Sequence, residues 1–521
     1  MPTGSRAGDL RYARPSVMER VLPAPGLRAA CRVGRSAIVA LAAFLCLEVP
    51  FGASSQQTLL SSGASVPSDI PYTDALSILE AIPRAQLPPE LQSKAPSELA
   101  PDWPAWVSAR DRDIRARLAA GDEASVLNLA LFGTMFTDRP PLTERDIAAT
   151  GGGKERRQGI PGDRATADAV RSRIEDFIDA LLSPGGNERL EFARVVAGRQ
   201  SIDLTATDAR GRLRQWLAAG TARVITEYGS QADLVRGQAV SDASRSTLFH
   251  DRGLSSDTSI YPGFGVEQTL AVLLTNGMLA AGSVRRVGIV GPGLDFVDKR
   301  QGTDFYPVQT IQPFAVVDSV LRLGLAERGQ FRVTTFDVSP RINHHLEAAR
   351  RRAEGGEAYV LNLPRRLDLF PWSRYLVAYW EQLGDRIGTA APPVPVPPGT
   401  SDLVRMRAVR VRPDVVRAIV PEDLDIVLQR LEPLAAADLF DLIVATNVLV
   451  YYDVFQQSLA LANVAAMLRP DGLFLSNQAV EPLGGIPMES VGHVDIPMED
   501  LLTPTSVSHS TGDRFFVYRR R

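Results

Sequence analysis

The chain has 521 residues, 45% of them hydrophobic and 22% charged, with a formal net charge of -3. That length holds two or three domains, and the near-neutral balance excludes a general affinity for nucleic acid or anionic membrane surfaces. The only cysteines, Cys31 and Cys46, precede the body of the chain, and the five histidines show no HxxxH or HxH spacing, so neither disulfides nor a metal site is expected there.

In chain order, Arg28, Arg32 and Arg35 precede an apolar run from Ala37 to Leu47, which Pro50 breaks before the small residues Gly52-Ala53-Ser54. Residues 1–54 therefore read as an export signal or an anchor, with an apolar core short for a membrane span. The chain is then exported or membrane-anchored; if translation begins at Met18, a cytoplasmic location is the alternative. Residues 55–100 are rich in Ser, Pro and Ala and read as a loosely ordered linker. From 101 to 245 the pattern is helical, over Ala105–Ala119, Asp122–Phe136, Thr166–Leu182, Thr207–Gly220 and Thr221–Leu234. Gly151-Gly152-Gly153-Lys154 lacks the GxxxxGK[ST] spacing and a preceding strand, so it reads as a flexible loop.

The second half alternates strand and helix, the pattern of a parallel sheet covered on both faces. A leading helix over Val266–Leu279 comes first. The predicted strands are Val287–Val290, Phe331–Phe336, Val415–Val420, Leu442–Ala445 and Leu473–Ser476. Helices are predicted over Phe314–Leu323, Arg341–Ala353, Leu424–Leu434 and Phe455–Leu468. Thr505–His509 and Arg514–Tyr518 read as a closing hairpin. His344 and His345 fall on a solvated helix face.

The first strand breaks into Gly291-Pro292-Gly293, a turn that lets backbone approach a ligand closely. Asp337 ends the second strand, where a carboxylate can take hydrogen bonds from a ribose diol. With Asp423 (or Glu422) after the third strand, Phe440–Asn447 at the fourth and Leu468–Leu473 before the fifth, residues 246–521 resemble the class I S-adenosylmethionine-dependent methyltransferases. The resemblance implies a Rossmann-like seven-stranded sheet of order 3-2-1-4-5-7-6 with strand 7 antiparallel, preceded here by a mostly helical domain. It implies S-adenosylmethionine as cofactor, held by Gly291, Gly293, Asp337, Asp423 and Asn447. The third glycine of the family's loop is absent, and two insertions, near 296–312 and 355–412, depart from the family pattern. The first is placed to reshape one end of the pocket; the second reads as a lid or a partner surface.

Asn447-Val448-Leu449-Val450-Tyr451-Tyr452-Asp453 is also similar to a segment of chemotaxis-receptor glutamate O-methyltransferases. Methyl transfer is an in-line displacement, so the protein chiefly aligns the reacting atoms. Asn447, Tyr451 and Tyr452, just past the fourth strand, are the expected catalytic residues; packing on the sheet is the other reading of the two tyrosines. The expected function is methyl transfer to a small-molecule or protein acceptor. The alternative is a non-catalytic exported binding or scaffold protein that keeps the fold, because S-adenosylmethionine is made in the cytoplasm. A dehydrogenase lacks support, because GxGxxG is absent and the tail hairpin points elsewhere.

Overall fold

The computed structural model describes residues 65–143, 146–147, 162–236, 253–369, 371–499 and 512–521. The signal-like segment, the Gly151–Lys154 loop and Thr505–His509 lie outside the described residues. Ser65–Arg521 form one unit.

The stretch expected to be a loose linker is folded from Ser65 onward. Strand β1 (Val66–Asp69) pairs antiparallel with residues 429–432, far along the chain, and helix α1 (Tyr72–Ala81) follows. Trp103 fixes this segment from below: its indole N–H donates to the Ile70 carbonyl at 2.9 Å. Composition missed this because the stabilising partners are remote in sequence.

Two pairs of predicted helices are each one continuous helix, α2 (Trp103–Phe132) and, after α3 (Gly162–Leu182) and α4 (Glu188–Arg199), α5 (Ala209–Arg236). Gly121 does not break α2. It is required there, because a Cβ would lie 1.7 Å from the Leu254 carbonyl oxygen. Helix α4 was not predicted; Asn187 starts it by accepting the amides of Arg189 and Leu190, a cap worth about 1 kcal/mol. The helices share their apolar core with Phe296 and Val297 of the first insertion. Buried Arg189 seals this contact by donating to the carbonyls of Asp295, Phe296 and Tyr306. The first insertion thus reaches across the expected boundary at 245 into the core of the helices.

The second half begins with α6 (Ile260–Thr275) and β2 (Arg286–Val290). Then come α7 (Gln312–Arg322), β3 (Arg332–Asp337) and α8 (Pro340–Glu354). The insertion at 355–412 is a small antiparallel sheet of β4 (Tyr359–Arg366), β5 (Gly388–Ala391) and β6 (Val404–Val411), ordered β4-β6-β5, with α9 (Arg374–Gln382) packed on it. Trp380 ties that helix down by donating its indole N–H to the Leu363 carbonyl at 3.0 Å.

The third strand is displaced from its predicted place. Pro413–Arg417 is a short helix, α10, and the strand is β7 (Ile419–Asp423). Pro421 is tolerated because β7 is the sheet edge, where a missing N–H leaves no ladder bond unmade. The predicted helix Leu424–Leu434 is instead a turn and β8 (Gln429–Glu432), recruited by β1. The core then closes with β9 (Phe440–Ala445), α11 (Val454–Met467), β10 (Leu468–Ser476), β11 (Met488–Pro497) and β12 (Gly512–Arg520). The closing hairpin strands are thus β11 and β12, with the first earlier than expected.

The main sheet has seven strands in the order β11-β12-β10-β9-β2-β3-β7. Its pairings from β10 through β7 are parallel, and β12 runs antiparallel to both of its neighbours. Strands β2 and β9 are buried along nearly their whole length, which is why they read as continuous apolar runs rather than alternating ones. No helix among the described residues is long and apolar enough to cross a membrane.

Candidate functional site

Strand β3 lies on one side of β2 and β9 on the other, so the carboxyl ends of β2 and β9 flank the switch in strand order, where ligands bind in open α/β sheets. A cavity opens there. It is lined by Val290 of β2 and Gly291 and Gly293 after it, by Phe336 and Asp337 of β3, by Leu424–Ile426 after β7 and by Thr446–Val448 after β9. Leu118 of α2 and the segment Leu254–Thr258 close it from above.

Gly291 and Gly293 form a tight, crowded turn at the end of β2. Both have φ of +65°, which only glycine adopts without cost. A Cβ on Gly291 would sit 2.4 Å from Val448 Cγ2, and one on Gly293 would sit 2.8 Å from Thr258 Cβ. The segment before α6 is strapped over this loop: the Thr258 amide donates to the Leu294 carbonyl at 2.8 Å, and the Leu294 amide to the Ser256 carbonyl at 2.7 Å.

Three carboxylates meet the cavity. Asp337 accepts the Ser339 amide at 2.8 Å through one oxygen, which leaves the other. Burial pushes its carboxyl up to about 7, with the charge of Asp423 adding to the effect and the Ser339 bond opposing it. Asp425 is 1% exposed and accepts the Val427 amide at 2.9 Å, while its Oδ2 is buried without a hydrogen-bond partner. Burial likewise raises it to about 7. Asp257 accepts the Ser125 hydroxyl at 2.7 Å through Oδ1, and its Oδ2 is also buried and unpartnered.

Asp423, expected among the residues that hold the cofactor, does not line the cavity. Its side chain is 57% exposed and forms an ion pair with Arg115 of α2 at 2.7 Å. The reason is the displaced strand: β7 runs through Asp423, so the next acid, Asp425, is the one that turns inward. Asp425 and Asp257 were both missed. Asp425 carried a signal, the acid spacing of Asp423-Leu424-Asp425; Asp257 carried none, because its role depends on where its segment crosses the sheet.

A second cavity, of about 320 Å³, adjoins the first and shares Asp257, Thr258 and Asn447 with it. Its remaining lining includes Tyr261 and Pro262 at the start of α6, Asp298–Arg300 of the first insertion and Asp513 of β12. The first insertion therefore shapes this end of the site. The second insertion borders it through Trp372, whose ring meets Tyr261 edge-on at 6.1 Å, and through Ser373, whose amide donates to the carbonyl of the lining residue Met498 at 2.9 Å.

Asn447 stands at the junction with φ of +59°. Asn477 holds it from two sides: the Asn447 amide donates to Asn477 Oδ1 at 2.8 Å, and Asn477 Nδ2 donates to Asn447 Oδ1 at 2.7 Å. Asn477 Nδ2 also donates to Asp513 at 3.2 Å. Tyr451 and Tyr452 line only the first cavity. Tyr452 is 3% exposed beneath the Arg117 guanidinium, and burial holds its phenol well above the usual range, so it is a poor base. Of the two histidines expected on a solvated face, His344 is exposed but His345 is half-buried: its Nε2 meets the Tyr359 hydroxyl at 2.8 Å, and burial lowers its pKa to about 4. Among the described residues no group of three or more His, Cys, Asp or Glu could hold a metal ion.

Fold and site together define an α/β protein with a cavity over the carboxyl ends of its parallel strands and a polar annex beside it. Among solved structures the chain is similar to the N-methyltransferase NodS from Bradyrhizobium japonicum WM9, at 16% identity over 49% of this chain and 94% of that one, with a TM-score of 0.22. It is similar to the magnesium protoporphyrin IX methyltransferase ChlM from Synechocystis PCC 6803, at 12% identity over 55% of this chain and 99% of that one, with a TM-score of 0.23. The mitomycin 7-O-methyltransferase MmcR gives 12% identity, 71% and 100% coverage and a TM-score of 0.23. No protein-family model matches the sequence, and no curated protein matches it.

Proposed function

We propose that this chain is an S-adenosylmethionine-dependent methyltransferase whose first cavity takes the cofactor and whose second takes a small-molecule or protein acceptor. The observation that carries the reading is the pair of buried carboxylates, Asp337 and Asp425, facing one cavity across from the Gly291–Gly293 cradle. The orphaned Oδ2 of Asp425 is an acceptor awaiting a donor, which an exocyclic amine supplies. The strand order, read from β7 inward and numbered by chain position, is the 3-2-1-4-5-7-6 of the family that the sequence resembles.

When bound, S-adenosylmethionine supplies a methyl group made electrophilic by its sulfonium. The residues of the chain then have separable tasks. Gly291 and Gly293 let the backbone lie against the ligand. Asp337 accepts from ribose hydroxyls, and Asp425 accepts from the adenine amine. Leu118 and Leu254 exclude water on the open side. Asn447, fixed by Asn477, orients the acceptor where the two cavities meet, and this alignment is the main catalytic contribution.

Calorimetric titration of the full chain with S-adenosylmethionine tests the proposal, followed by transfer of a labelled methyl group to fractionated lysate. Saturable binding and a labelled product are expected. Absence of binding by the folded chain would sink the reading. Binding without transfer to any fraction supports the non-catalytic alternative.

A further inference from the structure

At the opposite end of the sheet from the cofactor cavity, by the starts of β3 and β7, lies a separate cavity of about 410 Å³. Five arginines line it, Arg328, Arg332, Arg350, Arg412 and Arg417, against one carboxylate, Asp414. In a chain whose net charge is -3, this is a local concentration of positive charge.

Four of the five guanidiniums are anchored to main-chain carbonyls. Arg328 and Arg412 both donate to the Arg386 carbonyl, at 3.2 and 3.1 Å. Arg417 donates to the Ala353 carbonyl at 3.0 Å, and Arg332 to the Phe331 carbonyl at 3.2 Å. A carbonyl positions a guanidinium without cancelling its charge. Arg412 reaches Asp414 at 3.2 Å, whereas among the described residues no carboxylate lies within ion-pair distance of Arg328, Arg332, Arg350 or Arg417. Arg350 Nε is buried without a hydrogen-bond partner; the acid that feels its charge is Glu422, half-buried on β7.

We propose that this cavity binds a compact oligophosphate-bearing anion, a diphosphate or longer. Guanidinium forks match phosphoryl oxygens two at a time. Five of them, arriving from β3, α8, α10 and the turns beside them, offer more donors than a single phosphate or carboxylate has oxygens to meet. Arginines on a sheet edge also discourage strand addition, and β7 is an edge. That role needs neither a cavity nor carbonyl-anchored guanidiniums. The site is independent of the methyl-transfer reading.

The test is calorimetric titration of the full chain at low salt with inorganic pyrophosphate, orthophosphate and uridine diphosphate. Pyrophosphate is expected to bind saturably, about tenfold or more tighter than orthophosphate, since each added charge-assisted pair is worth about that factor. Uridine diphosphate binding more tightly than pyrophosphate assigns the site to a nucleoside diphosphate; equal binding assigns it to the phosphates alone. Arg332→Gln/Arg417→Gln, both on the exposed rim, should weaken pyrophosphate by about tenfold or more on the same basis, with an unchanged thermal transition. Arg328→Gln gives a second, milder probe should the double variant fold poorly. Arg405→Gln, exposed on β6 and outside the cavity, should bind as wild type. No saturable pyrophosphate binding, orthophosphate binding as tightly, or equal weakening by Arg405→Gln would overturn the proposal.

Discussion

Replacing Asp425 by Asn separates the cost of this carboxylate from its use. The side chain keeps its shape and its bond from the Val427 amide, but the buried charge is gone. In the unfolded chain the group titrates near the ordinary 3.8; in the folded protein burial raises it to about 7. Between those values the folded state holds a proton that the unfolded state has lost, so wild-type stability falls as pH rises through the window and is flat above it. The slope is about 1.4 kcal/mol per pH unit, or up to roughly 3 kcal/mol between pH 5 and 7. Asp425→Asn removes this slope. Asp337 and Asp295, which burial also raises to about 7, contribute equally to both proteins and cancel in the comparison. Thermal melting of the two proteins without ligand, from pH 5 to 8, should show the variant gaining on the wild type as pH rises. Adding S-adenosylmethionine at pH 8 should shrink the advantage, because the variant loses a charged acceptor worth about 1.5–3 kcal/mol of binding. A difference between the melting points that stays constant with pH would refute the buried-charge argument. Equal donor affinity in the two proteins would remove Asp425 from the site.

Asp423→Ala should leave donor affinity nearly unchanged, because that carboxylate is spent on Arg115 at the surface; tenfold weaker binding in titration would restore it to the pocket. Asp337→Ala should weaken donor binding by about 1.5–3 kcal/mol through the loss of charged hydrogen bonds, and an unchanged dissociation constant in the folded variant would rule it out. Asn447→Ala and Asn477→Ala should both slow methyl transfer while donor affinity stays close to wild type, since both act on alignment; transfer at the wild-type rate would move the reacting centre away from β9. Gly291→Ala should cost about 1–2 kcal/mol from its left-handed backbone alone, before the clash with Val448, and should be visible as a lowered melting temperature.

The sequence by itself determined the central strands of the second half, because that information is local. Val287–Val290 and Leu442–Ala445 are uninterrupted apolar runs of strand length, and only a doubly covered sheet buries such runs on both faces. Gly291 and Gly293 likewise declared a close-approach turn, since a side chain at either would collide with its neighbours. Tertiary structure decided what depends on remote partners. The pairing of β1 with β8 folded a segment whose Ser and Pro content suggested a linker, and overrode a helical pattern at Leu424–Leu434. Val415 and Val416 suggested a strand, yet β7 begins at Ile419, and that shift of a few residues turned Asp423 outward to Arg115 and Asp425 inward to the cavity. Asp257 and Asn477 showed nothing in sequence, because a carboxylate or an amide acquires its task only from what the fold sets beside it: the Ser125 hydroxyl of α2 for one, and the end of β9 for the other.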